Sequence, residues 1–147
     1  MTPTALAEYL HIHMPISRAM AVSVVSASLE EVVLEAPLAP NINVHGTMFG
    51  GSIATLALLA SWSVVHLRLE SIRFAGQLVV RRSQTEYLGP ISGKARAVAR
   101  LEHADWDGFV QQLQRRGKAR IDAGAEVLSG TEIGARLAGE FVALRPS

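Results

Sequence analysis

No cysteine occurs in the 147 residues, which removes disulfides, thiol nucleophiles and thiolate-bound zinc together. Charge is scarce as well: Asp, Glu, Lys and Arg make up 18% of the chain, against roughly a quarter in soluble domains, while the mean hydropathy is +0.24. Much of the surface must then be covered by something other than water, and further copies of the chain are the expected cover. Neither sign of charge dominates, with 14 basic against 13 acidic residues, so a main task of coating nucleic acid is excluded, since that binding draws on neutralised phosphates. The start, MTPTALAEYLHIHMPIS, lacks a basic segment and carries Glu8 and His11 where a secretory signal would be apolar. A cytoplasmic location is expected.

The longest gap in charge runs from Pro37 to Leu67, 31 residues without Asp, Glu, Lys or Arg, enough in length to span a bilayer. Composition argues against a span. The segment PLAPNINVHGTMFGG holds two prolines, two asparagines, a histidine and three glycines, leaving too little apolar length from Ser52 to Arg68, with Ser61, Ser63 and His66 in between. From Phe49 to about Leu69 the apolar residues surround the helical wheel, among them Ile53, Leu56, Leu59, Trp62 and Val65, which is the pattern of a buried helix.

Around that helix the pattern is that of strands. Arg18–Ser26 and Leu29–Ala36 are rich in Val, and Leu78–Leu88 ends at Gly89 and Pro90. The stretches around Lys94–Glu102 and Lys118–Val127 alternate charge with alanine, and Thr131–Leu144 reads as a last strand. Two short helices complete the chain: Thr4–His13, with Thr4 as cap, and Asp105–Arg116, with Asp105 as cap. The pattern predicts an α+β architecture, one antiparallel sheet of about six strands curled around one buried helix, with its outer face and edges open to a partner copy.

Chemically useful groups cluster at the start of the buried helix: Asn41, Asn43, His45, Gly46, Thr47, Phe49, Gly50, Gly51 and Ser52. The first amides of a helix have no intrahelical acceptor and carry partial positive charge, so they receive an oxyanion or a polarised carbonyl. Gly50 and Gly51 leave room for an acyl group to approach those amides. Asn43 supplies a neutral amide and His45 a base, both suited to orienting or deprotonating a water. Further along, Ser52, Thr55, Ser63 and His66 fall near one helix face, which either lines a channel or bonds back to helix carbonyls.

The string NINVHGTMFGGSIATLALLASW resembles the loop and central helix of the hotdog-fold thioesterases, and more narrowly the bacterial thioesterase domain that in some proteins follows an acetyltransferase. TEYLGPISG, Thr85–Gly93, is similar to the strand ending after the helix in that group. The resemblance implies that residues 1–147 form a single hotdog domain with a short N-terminal helix. It also implies hydrolysis of an acyl thioester of coenzyme A or acyl carrier protein, in a homodimer or a homotetramer built as a dimer of dimers, with no cofactor and no metal. Many relatives of this kind carry an acid on the central helix; that position here is Leu58, and no carboxylate follows before Glu70. Another subgroup puts an Asp in the preceding loop, where this chain has Asn41 and Asn43. Hydrolysis therefore needs another base, His45 first and then Glu86 from the following strand. Arg81 and Arg82, or the run Arg115, Arg116, Lys118 and Arg120, are the expected contacts for the carrier's phosphates. With the acids missing, a non-catalytic acyl-thioester binding protein is the alternative, as is an acyl-thioester dehydratase or hydratase on the same fold.

Overall fold

The computed structural model describes residues 1–102 and 104–146. Helix α1 (Pro3–His13) is followed by a single turn, α2 (Ile16–Ala19), and by the hairpin of β1 (Ser23–Ala27) and β2 (Glu31–Ala36). The long helix α3 (Gly50–Ser71) leads to β3 (Gln77–Tyr87) and β4 (Ala95–Arg100); α4 (Trp106–Arg116) then precedes β5 (Lys118–Ser129) and β6 (Glu132–Leu144). The strands form one six-stranded sheet in the order β1-β2-β4-β5-β6-β3, every neighbouring pair antiparallel. This is the hotdog arrangement expected of the sequence.

Alanine makes the wrapping possible. Ala95, Ala97 and Ala99 of β4 pair in register with Ala36, Leu34 and Val32 of β2, and all six are fully buried. Small side chains let the sheet backbone close on α3, which answers with Leu56, Ala57, Ala60 and Val64, also fully buried. By length and composition α3 could cross a membrane, but 67% of its most apolar window is buried inside the fold, so its apolar girth is explained by the sheet around it. One stripe stays half-buried or exposed: Gly51, Thr55, Leu58, Trp62, His66 and Glu70, at helical spacing.

The outer sheet face carries charge. Cross-strand pairs cover it: Arg100 Nε to Glu31 at 2.6 Å, Arg96 Nη2 to Glu35 at 2.7 Å, Arg136 Nε to Glu126 at 3.3 Å. Each pair adds little stability, but the set makes a face suited to water.

Local chemistry shifts three boundaries. Thr2, not Thr4, caps α1: its Oγ1 accepts from the Ala5 amide at 3.1 Å, and Pro3 takes the first helical position, where its missing N–H costs nothing. The strand expected from Arg18 begins only at Ser23, because Ile16–Ala19 is helical and Ala21 turns the chain at φ 57°. Asp105 precedes α4 with helical dihedrals (φ −94°, ψ −10°) and makes no side-chain cap, since an effective cap needs extended backbone.

Candidate active site

The loop between β2 and α3 is held from within. Asn41 is 2% exposed; its Nδ2 donates to the carbonyls of Met20 (2.9 Å) and Pro37 (2.8 Å), and its own carbonyl receives the Phe49 amide at 2.8 Å. Asn41 thus clamps the base of the loop and offers nothing to a ligand at the surface. Asn43 organises the tip: Oδ1 accepts from the amides of His45 (2.8 Å) and Thr47 (3.1 Å), while Nδ2 donates to Thr47 Oγ1 (2.8 Å). Gly46, at φ +81°, makes the reversal that a side chain would strain. Both polar atoms of Asn43 are therefore spent on the turn, and so is the Thr47 hydroxyl. The His45 side chain stands exposed at the tip, with no side-chain partner among the described residues.

The turn delivers the chain into α3 with Phe49 as its cap residue, extended at φ −58°, ψ 134° and making no side-chain cap. The amides of Ser52 and Ile53 bond to the Phe49 carbonyl at 3.0 and 3.1 Å. Those of Gly50 and Gly51 have no acceptor among the described residues, and no acidic residue stands in the first turn to neutralise them. Two aromatic rings flank the pair. Tyr87 donates its hydroxyl to the Gly50 carbonyl at 2.9 Å, and a Cβ on Gly50 would sit 3.4 Å from that ring. Phe49 lies so close over Gly51 that a Cβ there would come within 2.4 Å of Cε2. With glycine at Gly51 the Phe49 ring can take this position; a Cβ there would push the exposed ring aside.

An apolar groove of about 370 Å³ follows α3 from Thr55, one turn beyond Gly51, lined on the helix by Thr55, Leu58 and Trp62 and on β3 by Leu78 and Val80, with Phe141 as part of its wall. Leu58, where an acid was sought, is thus part of an apolar wall. Thr55, in the groove's wall, and Ser52, outside it, are half-buried, whereas Ser63 is fully buried.

The strand residues proposed from sequence lie elsewhere. Leu78 and Val80 pair with Ala143 and Phe141, both buried against the helix, and strict alternation from them would turn Glu86 inward. A bulge between Val80 and Arg82 inserts one residue and reverses the phase. Tyr87, opposite buried Ala135, then faces α3, and Glu86, opposite exposed Arg136, faces outward. Glu86 therefore does not share a face with the Gly50 and Gly51 amides. Arg81 pairs with Glu140 on that outer face, whose carboxyl is held below the usual range chiefly by this hydrogen bond. Arg82, in register with Glu140, lines an outer depression with Gln84 and Asp122. Tyr87 is the site residue that sequence reasoning missed; the bulge that brings it inward has no signature in the string LVVRRSQTEY.

A family model described as "Putative thioesterase (yiiD_Cterm)" matches residues 3–145. Among solved structures, a protein of unknown function from Chlorobaculum tepidum is 29% identical with a TM-score of 0.91, covering 99% of this chain and 98% of its own. A Shewanella oneidensis protein described as "putative thioesterase" is also 29% identical, with a TM-score of 0.87 over 97% of this chain and 96% of its own. A thioesterase from Haemophilus influenzae shares the fold at 12% identity, with a TM-score of 0.78 over 99% and 92% of the two chains.

Proposed function

The chain belongs to this thioesterase family, and from that premise we propose that it hydrolyses acyl thioesters of coenzyme A or acyl carrier protein, in the cytoplasm and within fatty-acyl metabolism. One observation carries the reading: two unpartnered amides, Gly50 and Gly51, open an uncharged helix start, and an apolar groove begins one turn further along that helix at Thr55.

In this mechanism the thioester carbonyl oxygen accepts from both amides, which bind it more tightly as water adds and the oxygen gains charge. His45 takes the proton of the attacking water. The tetrahedral adduct collapses, the carbon–sulfur bond breaks, and the thiolate leaves with the proton returned from His45; the acyl group departs as a carboxylic acid. Asn43, Gly46 and Thr47 shape the turn that carries His45. Phe49 and Tyr87 screen the adduct from bulk water, and the acyl chain runs past Ser52 and Thr55 into the groove.

A second copy fits the edge of β3, which among the described residues has β6 as its one strand neighbour and exposes Val79, Val80 and Tyr87. Pairing of two such edges would continue the sheet and cover the exposed Phe49 and Leu88. Glu86 of either copy would stay on the outer face in that arrangement.

Leu58 favours a second reading, an acyl-thioester binding protein without turnover. A panel of acyl-CoA and acyl-carrier substrates with a thiol-detecting reagent separates the two. Thiol release above the uncatalysed rate is expected; calorimetric binding of acyl-CoA without any release would establish the binding protein instead.

A further inference from the structure

Trp62 is held on two sides. Its Nε1 donates to the Leu78 carbonyl at 2.9 Å, fastening the indole to the backbone of β3. Its ring stacks on His66 with centroids 4.6 Å apart and planes inclined by 12°, and His66 stacks on Tyr9 at 4.8 Å. Towards the start of α3 lies the apolar groove of about 370 Å³; beyond the indole lies a second cavity of about 330 Å³, walled by Tyr9, His66, Glu70 and Phe74. Trp62, Leu78 and Val79 belong to both walls. The two spaces also differ in chemistry: the near one is apolar, whereas the far one has His66 and Glu70 in its wall, with His66 Nε2 and the Glu70 carboxylate 3.8 Å apart.

We infer that the Trp62 indole is the end stop of the acyl channel and sets the longest acyl chain that the protein accepts. The inference rests on the thioesterase reading above. A long helical side chain covers the turn before its own Cα, so the indole closes the groove near the level of Leu58. Seven residues of rise place that level roughly 10 Å beyond Gly51. A fully extended chain advances about 3.6 Å for every three bonds, so the channel holds roughly eight to ten carbons. Removing the indole joins the two cavities, and the chain gains about four carbons before it meets the polar pair, at about 1.2 Å per bond.

The test uses S-alkyl-CoA thioethers of four to sixteen carbons, which lack the reactive carbonyl, titrated by calorimetry into the full chain. For the unaltered protein, affinity is expected to rise about fourfold per methylene and to stop rising near ten carbons. In Trp62→Ala the rise should continue to about fourteen. Leu58→Phe, which leaves the Trp62 contacts in place, fills the groove a turn closer to Gly51 and should end the rise about four carbons earlier, as one turn is about 5.4 Å. An unaltered protein whose affinity climbs past fourteen carbons overturns the inference, as does a break point unmoved in Trp62→Ala or, should that variant not fold, in Leu58→Phe. Thiol release is followed in parallel on matched acyl-CoA substrates. Break points that move while no thiol is released at any length keep the end stop and remove the hydrolase; strong release with an unmoved length profile does the reverse.

Discussion

Replacing Asn43 by alanine removes the side chain on which the loop tip is built. Three hydrogen bonds of 2.8, 2.8 and 3.1 Å disappear, to His45 N, Thr47 Oγ1 and Thr47 N. A protein hydrogen bond contributes about 0.5–1.5 kcal/mol, and Asn43 is half-buried, so the low half of that range applies and the loss is about 2 kcal/mol. For a chain near this size each kcal/mol moves the melting midpoint by about 2–4 °C, which predicts a fall of about 4–8 °C. If the same free energy is withdrawn from the ordered turn during reaction, turnover drops about 30-fold, since each 1.36 kcal/mol is a factor of ten in rate. Asn43→Asp keeps an acceptor oxygen for the two amides and forfeits only the Nδ2 donation, so it should recover more than half of each loss. Calorimetric melting and thiol release on the three proteins decide the matter. If Asn43→Ala lost activity with an unchanged melting midpoint, the side chain would act on the substrate itself, and the turn-building account would be refuted.

His45→Ala should leave the melting midpoint within about 1–2 °C, because an exposed side chain away from named contacts shifts stability by about 0.5 kcal/mol or less. Its thiol release should fall about a hundredfold, the lower range for general-base catalysis; unchanged release would remove His45 from the chemistry. Glu86→Gln is expected to leave thiol release within about twofold, given its outward face, and a large loss would show that the bulge does not reverse β3. Burial pushes the His66 imidazole below its ordinary value of 6.5, against the opposing pull of Glu70 and with a smaller push from His13. The unfolded chain then binds a proton first as pH falls, so stability present above pH 6.5 should decline below it until the folded imidazole also titrates. Urea midpoints at pH 7.5 and 5.5 should differ in that direction, with the difference reduced in His66→Gln; an equal difference in both proteins would assign the slope to other groups.

The architecture was legible because two periods are written plainly in the chain. Apolar residues on every side of Ile53–Leu69 announced a covered helix, and alanine alternating with Arg, Lys and Glu announced the sheet that covers it. The glycine pair was legible as well, because its place at a helix start matters more than its neighbours. What stayed hidden depends on partners remote in sequence or on single inserted residues. Alternation counted along β3 points Glu86 at the site, and only the pairing with β6 reveals the bulge that turns it away. Asn41 and Asn43 look alike in the string NIN, yet one is sealed beneath Met20 and Pro37 while the other shapes the tip. Trp62 is ambiguous until its bond to Leu78 shows that it separates two cavities.

The claim beneath the whole account is that the Gly50 amide binds the reacting carbonyl, and a proline can delete that N–H alone. Gly50 is the first residue of α3, where no intrahelical bond is lost, and Phe49 already holds φ −58°, ψ 134°, the conformation required before proline. Gly50→Ala is the control, keeping the N–H while adding a Cβ that meets Tyr87 at 3.4 Å. With both variants folded, thiol release should persist within about fivefold in Gly50→Ala and fall about a hundredfold or more in Gly50→Pro, the usual effect of removing one oxyanion donor. Equal rates in Gly50→Pro and Gly50→Ala would contradict the claim.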